Sequence, residues 1–338
     1  MSIGIDIGSK TIKVVELAKD GNRMALKSAG TVGYTASDVA NFRDDKEYQA
    51  LGEAIKKLFK DAKIAGKNVT IALPETSVFT RILKFPLLND QEIASAVKWE
   101  AEEYIPIPLK DAVVEHVILE RQEVGNPPQV LVLLIAVTKE LVERYVKVAG
   151  FAGLNVVSVE TELMAMVRST APIDKTAVLI DFGAHSTDLA IAKQGQLFFS
   201  RSIPTAGDAF TRAVAQTLGV SVEQAEEYKK TYGLSPEALE GKVGQSLIPV
   251  FRVVAEEIKK ALHYYQLEVR GEAVSSILIS GGTAGLPGVA SELTKMLGIE
   301  VAVANPFANV TVDPTAAASL ANFAPLYSVA VGLAMRGD

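Results

Sequence analysis

The sequence predicts an α/β protein of two lobes, each built on the same strand–turn–strand unit. Three observations lead there. The N-terminal stretch Gly4-Ile5-Asp6-Ile7-Gly8-Ser9-Lys10-Thr11-Ile12 reads as an apolar strand ending near an aspartate, a turn of small residues, and a second apolar strand. The scheme returns half a chain later in Val178-Leu179-Ile180-Asp181-Phe182-Gly183-Ala184-His185-Ser186-Thr187-Asp188-Leu189. A repeat at that distance is a duplication at domain scale, not a short solenoid period. A third glycine cluster, Gly281-Gly282-Thr283-Ala284-Gly285-Leu286-Pro287-Gly288, lies between a strand and a helix.

The residue types in these stretches point to one chemistry. Glycine lets the backbone turn sharply and present its N–H groups, which suits a phosphate chain. Gly8, Ser9, Lys10 and Thr11 would face it from one lobe, and Gly183, Ala184, His185, Ser186 and Thr187 from the other. Asp6 and Asp181 close the first strand of each hairpin, where a carboxylate can hold Mg²⁺ through water. Gly281, Gly282, Thr283 and Leu286 offer side-chain-poor backbone to a flat ligand such as adenine. One such hairpin is a common element that binds nothing, and a turn aspartate often bonds only its own loop; the matched pair carries the reading. Lys13 stands open between a phosphate contact and a solvated strand charge. The three histidines fall in different elements and form no zinc constellation.

Composition sets the outer bounds. At 338 residues the chain is long enough for two or more lobes with their own cores. A net charge of -6 gives no footprint for nucleic acid and no attraction to an anionic membrane. The absence of cysteine fits a reducing cytoplasm. The first strand starts at once, so no secretory leader is expected. The stretch between Asp313 and Arg336 carries no charge, but it is mostly alanine and includes Asn322 and Pro325. It is expected to be a loop and then a buried helix, Leu326–Met335, crossing between lobes rather than a membrane span.

Taken in order, residues 1–34 read as a three-stranded meander, with a turn at Lys19-Asp20-Gly21-Asn22, and Tyr48–Lys63 as an amphipathic helix. Val69–Leu73 returns to strand. From Pro74 to Gly150 the pattern is strand, helix, two strands joined through Gly125-Asn126-Pro127-Pro128, and helix, with a capping box at Asn89-Asp90-Gln91-Glu92. That block is expected to be a separate α+β subdomain. A strand and helix at 155–169 close the first lobe, and the second opens with the repeated hairpin. A helical region runs from Gly207 to Glu268, with a second capping box at Ser221-Val222-Glu223-Gln224 and a turn at Ser235-Pro236-Glu237. The expected division is 1–73, 151–173 and 325–338 for the first lobe; 74–150 for the insert; 174–206 and 272–324 for the second lobe; and 207–271 for its helical subdomain.

Two Asp-x-Gly hairpins followed by strand-Gly-Gly-x-x-Gly-Leu-x-Gly-helix resemble the phosphate and adenosine segments of the actin, sugar-kinase and heat-shock-chaperone superfamily. More narrowly, Gly4-Ile5-Asp6-Ile7-Gly8-Ser9, Trp99-Glu100-Ala101-Glu102-Glu103-Tyr104-Ile105-Pro106-Ile107-Pro108, Ala149-Gly150-Phe151-Ala152-Gly153-Leu154 and Ser200-Arg201-Ser202-Ile203-Pro204 are similar to the PilM family of type IV pilus assembly. The family of the cell-division protein FtsA is similar in the same regions. The resemblance implies a two-lobed actin-like ATPase fold with an inserted α+β subdomain, ATP and Mg²⁺ as cofactors, and at most a slow ATPase. It implies that Glu226 and Lys229 face ribose and adenine, and Gly207 is counted with them as a cofactor-binding residue. In the chaperones a glutamate precedes an alanine by three; Glu162 and Ala165 match, which makes Glu162 the catalytic candidate and Glu160 the spare. It also implies a cytoplasmic scaffold, peripheral to the inner membrane, with self-association open. Its partner would be a short cytoplasmic N-terminal peptide of a PilN-like membrane protein, in a groove walled by Phe79, Ile82, Phe85, Trp99, Tyr104 and Ile107. An FtsA-like filament former is the alternative, though no basic amphipathic tail like the one by which FtsA holds membrane is expected. A small-molecule kinase is a weaker one, since nothing places a base for a substrate hydroxyl beside the phosphate turns.

Overall fold

Alternation of apolar and small residues sets the first hairpin. β1 (Ser2–Ile7) and β2 (Thr11–Asp20) pair antiparallel with Asp6 opposite Lys13, and β3 (Arg23–Gly33) extends the meander. The computed structural model of the chain describes residues 1–21, 23–34, 38–123, 127–236, 238–268 and 272–337. Parts of three expected turns (Asn22, Gly125-Asn126 and Glu237) and the boundaries at 271 and 338 lie outside them. α1 (Asp45–Asp61) is started by Asp44, whose carboxylate accepts the N–H groups of Lys46 and Glu47 while Glu47 bonds back to Asp44. This capping box satisfies donors that the first turn leaves without an intrahelical acceptor. β4 (Asn68–Leu73) then runs parallel to β1.

The insert follows: β5 (Phe79–Phe85), α2 (Asp90–Tyr104), β6 (Ala112–Gln122) and β7 (Gln129–Thr138), with the sheet ordered β5-β7-β6. One face packs Leu83, Phe85, Val132 and Leu134 against Ile93, Val97 and Ala101 of α2. The other face, through Ile82, Leu131 and Leu133, joins the core of the second lobe. Two strand faces with opposite burial explain why β7 reads as an unbroken apolar run.

α3 (Lys139–Phe151), β8 (Asn155–Thr161) and α4 (Glu162–Thr170) complete the middle of the chain. The expected block 74–150 divides differently here. Leu141, Tyr145 and Val148 of α3 pack with Leu51, Ile55 and Leu58 of α1, so α3 belongs to the first lobe. Its amphipathic face suits either neighbour, and periodicity alone does not say which.

The second lobe repeats the first. β9 (Ala177–Phe182), β10 (Thr187–Lys193) and β11 (Gln196–Ile203) form a meander in which Asp181 stands opposite Asp188. Helices α5 (Gly207–Leu218), α6 (Val222–Tyr232) and α7 (Lys242–Glu268) follow, then β12 (Ser276–Gly281), α8 (Val289–Leu297) and β13 (Val301–Val303). The second sheet is ordered β11-β10-β9-β12-β13 and the first contains β3-β2-β1-β4-β8. In each, an antiparallel meander meets two parallel strands at its first strand. The duplication therefore extends to sheet topology.

The first sheet has one more strand, β14 (Val310–Thr311), parallel to β3, followed by α9 (Pro314–Leu320) and α10 (Ser328–Met335). Phe307 and Val310 share a core with Val15 and Leu17, so the chain is back on the first lobe well before 325, where the sequence placed the return. A two-residue strand has no periodicity to read. α10 is buried between α4 and β1, and its approach to both is unusually close. A Cβ on Gly332 would lie 1.8 Å from the Ala165 carbonyl oxygen, and one on Gly4 would lie 2.3 Å from that of Ala330. The Ser328 hydroxyl also lies 2.7 Å from that of Ser280 in β12, so α10 touches both lobes. Among the described residues no single helix is long and apolar enough to cross a membrane, and the pair Pro314–Leu320 and Ala324–Met335 is bent by 95°.

Candidate functional site

The two hairpin turns close in the same way. Gly8 donates its N–H to Thr11 O at 3.1 Å, and Gly183 donates to Ser186 O at 3.0 Å. Both turns face a cleft of about 590 Å³. Its lining includes Asp6, Gly8, Ser9, Lys10, Thr11, Glu162, Asp181, Gly183, Ala184, His185, Ser186, Gly207, Glu226, Lys229, Gly281, Gly282, Thr283 and Leu286. Of the residues expected around cofactor, metal and catalysis, Thr187 alone stands apart. It is fully buried, and its hydroxyl donates to Thr205 O at 2.7 Å. It sits at the first position of β10, opposite Phe182, and its side chain ties the strand to the segment before α5.

The glycine segment is fitted to the second turn's strand. Gly281 has φ 81°, and a Cβ there would lie 2.3 Å from Phe182 O and 2.5 Å from an Asp181 carboxylate oxygen. Only glycine lets β12 leave the sheet this close to the acid. Gly207 N donates to Gly183 O at 3.1 Å and Asp208 N donates to Ala184 O at 2.9 Å, which sets the first turn of α5 against the second hairpin.

Lys229 differs from its expected role. Its ammonium donates to Gly207 O at 3.1 Å, to Thr211 Oγ1 at 2.8 Å and to Glu226 Oε2 at 2.6 Å. All three donors are therefore used inside the protein, and Lys229 fixes α6 to the start of α5. Glu226 also accepts from Thr211 and pairs with Lys230. Burial opposes its ionisation, but the bonds from Lys229 and Thr211 win and hold its carboxyl down at about 2. Burial lowers Lys229, partly offset by Glu226.

On the cleft floor Lys13 Nζ lies 2.9 Å from Asp6 Oδ2, with the lysine side chain 12% and the aspartate 6% exposed. This settles the open reading of Lys13, which is a buried ion pair and not a solvated strand charge. Burial disfavours its charge, but Asp6, Asp181 and Glu162 outweigh that and leave it raised. The other acids lack such a partner. Burial, with Asp6 and Asp188 nearby, pushes Asp181 up to about 7. Burial and the charges of Asp6, Asp188 and Asp181 raise Glu162 well above the usual carboxylate range. Asp188 is raised by burial, although the Ser202 and Ser186 hydroxyls ease it. Sequence reasoning missed Asp188, yet the repeat register could have found it. The pairing that sets Lys13 opposite Asp6 sets Asp188 opposite Asp181.

Glu160, the spare catalytic candidate, is committed elsewhere. It accepts both Arg168 guanidinium nitrogens, at 2.6 and 2.7 Å, and Arg336 at 3.0 Å. Glu162 lines the cleft at the first position of α4 and accepts the Glu75 N–H at 3.2 Å. At the mouth, Lys10 of the first hairpin pairs with Asp208 of the second lobe, whose other oxygen lies 3.3 Å from His185 Nε2.

Among the described residues no three His, Cys, Asp or Glu side chains are grouped closely enough to hold a metal ion by themselves. Asp6 and Asp181 nevertheless fit an ion held through water, since they belong to an acid-rich floor whose buried Asp188 Oδ1 has no hydrogen-bond partner. Such an ion would need further oxygen ligands from outside the protein.

The residues expected to wall a peptide groove do not share one wall. Phe85 is buried in the core beneath α2, with Phe79, Tyr104 and Ile107 half-buried against it. Ile82 is on the opposite face of β5, packed towards the second lobe. The period of two along a strand separates 79 and 85 from 82. Trp99 is 77% exposed on the outer side of α2.

Two lobes of common topology, a cleft between their matched turns and a glycine segment at its side define an actin-like ATPase fold. MreB5 of Spiroplasma citri bound to AMPPNP shares that fold at 15% identity and TM-score 0.56, covering 98% of this chain and 93% of that one. The family model for type IV pilus assembly protein PilM matches residues 4–338, so the chain belongs to the PilM family. It is similar to a solved PilM-PilN type IV pilus biogenesis complex, at 28% identity and TM-score 0.84, over 99% of this chain and 98% of that one. Among curated relatives, the cell division protein FtsA of Staphylococcus epidermidis is 24% identical over 90% of this chain and 74% of its own length.

Proposed function

We propose that the chain binds ATP with Mg²⁺ in the cleft and uses the bound state to set an interaction with a PilN-like membrane protein during type IV pilus assembly. The observation that carries the nucleotide reading is the pair of identically closed turns, Gly8–Thr11 and Gly183–Ser186, meeting across one cleft from two lobes. Ser9, Lys10 and Thr11 would hold phosphate from one side, and Ala184, His185 and Ser186 from the other. Gly281, Gly282, Thr283 and Leu286 would approach the base. Asp6 and Asp181 would hold magnesium through water, and the ion when bound would supply positive charge to the phosphates. Lys229 and Glu226 would act by fixing the α5 turn beneath the ligand.

Turnover would be slow. Glu162, which lines the cleft from α4, is the candidate for orienting water, and burial with the charges of Asp6, Asp188 and Asp181 raises its carboxyl well above the usual carboxylate range. Such a shift disfavours the carboxylate form that a general base needs. Nucleotide then acts mainly by mass action: at roughly a thousand times its Kd it adds about 4 kcal/mol to the form that binds it.

The partner reading rests on family membership and on similarity to the PilM-PilN complex. Phe79, Tyr104 and Ile107, half-buried on one side of the insert, would contact the peptide. Calorimetric titration with Mg-ATP and, separately, with a PilN-type N-terminal peptide tests both halves. Saturable Mg-ATP binding with turnover well below ~1 s⁻¹ is expected, since that rate is already low for an enzyme. A cleft left empty at millimolar Mg-ATP would overturn the nucleotide reading.

A further inference from the structure

Where the chain leaves β4 and turns into the insert, Glu75 is sealed in the interior. Its residue is 3% exposed, and no hydrogen bond of full geometry reaches either carboxyl oxygen, although polar groups of Ser200, Thr161 and Leu163 lie near. Buried polar atoms are nearly always satisfied, so two orphans on one acid call for an explanation. They are not alone: Asp188 Oδ1 and Ser202 Oγ are also buried without partners. Asp188 and Ser202 face each other across β10 and β11.

This is the junction of three bodies. The Glu75 N–H donates to Glu162 on the first lobe's α4. The short helical turn Glu75–Ser77 packs on β11 of the second lobe. A few residues on, Thr80 of the insert lies 2.7 Å from Ser200 of β11, hydroxyl to hydroxyl. The groups acting on the Glu75 carboxyl are the Ser200 and Thr161 hydroxyls, the Leu163 backbone and the charge of Asp188. None of these is a cation, and the Glu162 carboxyl that holds the Glu75 N–H is acidic too. An ionised carboxylate sealed there would lack both water and counter-charge, at a cost of several kcal/mol.

We propose that Glu75 is a proton-binding group of this junction, a neutral acid while the insert is seated on the second lobe, whose ionisation as pH rises loosens that seat. The proton leaves to solvent, and the carboxylate that remains is stable only where water reaches it. Burial, then the charge of Asp188, pushes the Glu75 carboxyl up from an ordinary 4.5 to about 7, with the Ser200, Leu163 and Thr161 groups easing it. The folded form therefore binds more protons than the unfolded one between those values, and stability falls as pH rises through them. Above about 7 the full penalty is present.

The test compares the full chain with Glu75→Gln, which keeps shape and cannot ionise. Unfolding equilibria of both are measured in denaturant at about pH 5.5 and about pH 8.5. The wild-type equilibrium constant for unfolding is expected to rise about 30-fold more than that of the variant across this interval. Acids that do not interact with Glu75 titrate equally in both chains and cancel, and Asp188, which does, is followed by its own carboxyl ¹³C resonance in both. Amide exchange in β5 and β11, corrected for its intrinsic pH dependence, is expected to quicken in the wild type and not in the variant. Parallel pH profiles for the two chains would overturn the proposal. The Glu75 carboxyl ¹³C resonance of the wild type supplies a reading that does not depend on the variant folding. Ionisation already complete at about pH 5.5 there would mean a water-bridged carboxylate, and the proposal would be wrong.

Discussion

Replacing Lys13 by methionine tests the electrostatics of the cleft floor most directly. Methionine keeps an aliphatic stem of similar reach and removes the charge that lies 2.9 Å from Asp6. With the aspartate side chain 6% exposed, the variant leaves a buried carboxylate facing Asp181 and Glu162 without its cation. Breaking one side of a buried pair costs about 3–5 kcal/mol. Asp6 has an escape, however, because it can take up a proton. At pH 7, roughly three units above an ordinary aspartate pKa, that uptake costs about 4 kcal/mol, and this is the ceiling on the loss. At pH 5 the same uptake costs roughly 1.5 kcal/mol. Comparing the two chains at each pH isolates the lone charge. Urea unfolding is expected to show Lys13→Met weaker by about 3–4 kcal/mol at pH 7 and by about 1.5 kcal/mol at pH 5. A loss equal at the two pH values would assign the effect to packing. A loss below about 1 kcal/mol at pH 7 would put the Lys13–Asp6 pair in the class of exposed ion pairs and refute the charge argument.

Three further perturbations read other parts of the same design. Asp181→Asn removes a carboxyl held up to about 7, so the variant should be more stable than wild type at pH 7.5 and equal to it below about pH 4. The gain at pH 7.5 is about 2 kcal/mol, half of what the full shift implies, because the side chain is only half-buried and solvent screens it. Gly332→Ala would put a methyl 1.8 Å from Ala165 O and force α10 off α4; a loss of about 3 kcal/mol, the upper end for overpacking, is expected in thermal or denaturant unfolding. Arg168→Met removes one of the two arginines that meet the buried Glu160 and leaves Arg336, so it should cost about 2 kcal/mol in the same assay, with no direct effect on the cleft, which Glu160 does not line.

What the sequence made legible follows from how local each signal is. The two glycine turns are written in consecutive residues, and both close as read. The capping boxes at Asn89–Glu92 and Ser221–Gln224 also form as read, because a box involves four neighbours and little else. Signals that depend on which neighbour an element meets were not legible. α3 has a clear apolar face, but only the tertiary structure shows that this face meets α1. β14 is too short to have a pattern, so the return to the first lobe was placed too late. Glu160 and Glu162 are two residues apart and chemically alike, yet one accepts two arginines and the other lines the cleft. The groove residues show a different failure, in which apolar character was read without the strand alternation that separates Ile82 from Phe79 and Phe85.

The duplicated hairpins differ in charge at one paired position, and that difference bears on what the cleft can accept. Opposite Asp6 stands Lys13; opposite Asp181 stands another acid, Asp188. The floor thus gathers Asp6, Asp181, Asp188 and Glu162 around the Lys13 ammonium, while the Lys229 ammonium is taken up by Gly207, Thr211 and Glu226. Backbone turns that suit phosphate are therefore set above a surface that repels it once these acids ionise, which for Asp181, held up to about 7, means above neutral pH. Like charges about 6 Å apart at an effective dielectric of about 20 repel by roughly 3 kcal/mol. One uncompensated pair of this kind is enough to weaken a polyanion about 100-fold. On the proposed reading, ATP with EDTA should bind at least that much more weakly than Mg-ATP, and Asp181→Asn should narrow the gap by relieving part of the repulsion. Equal affinity for free and magnesium-bound ATP would mean that the acids do not face the phosphates. The matched turns would then be inherited architecture without a ligand.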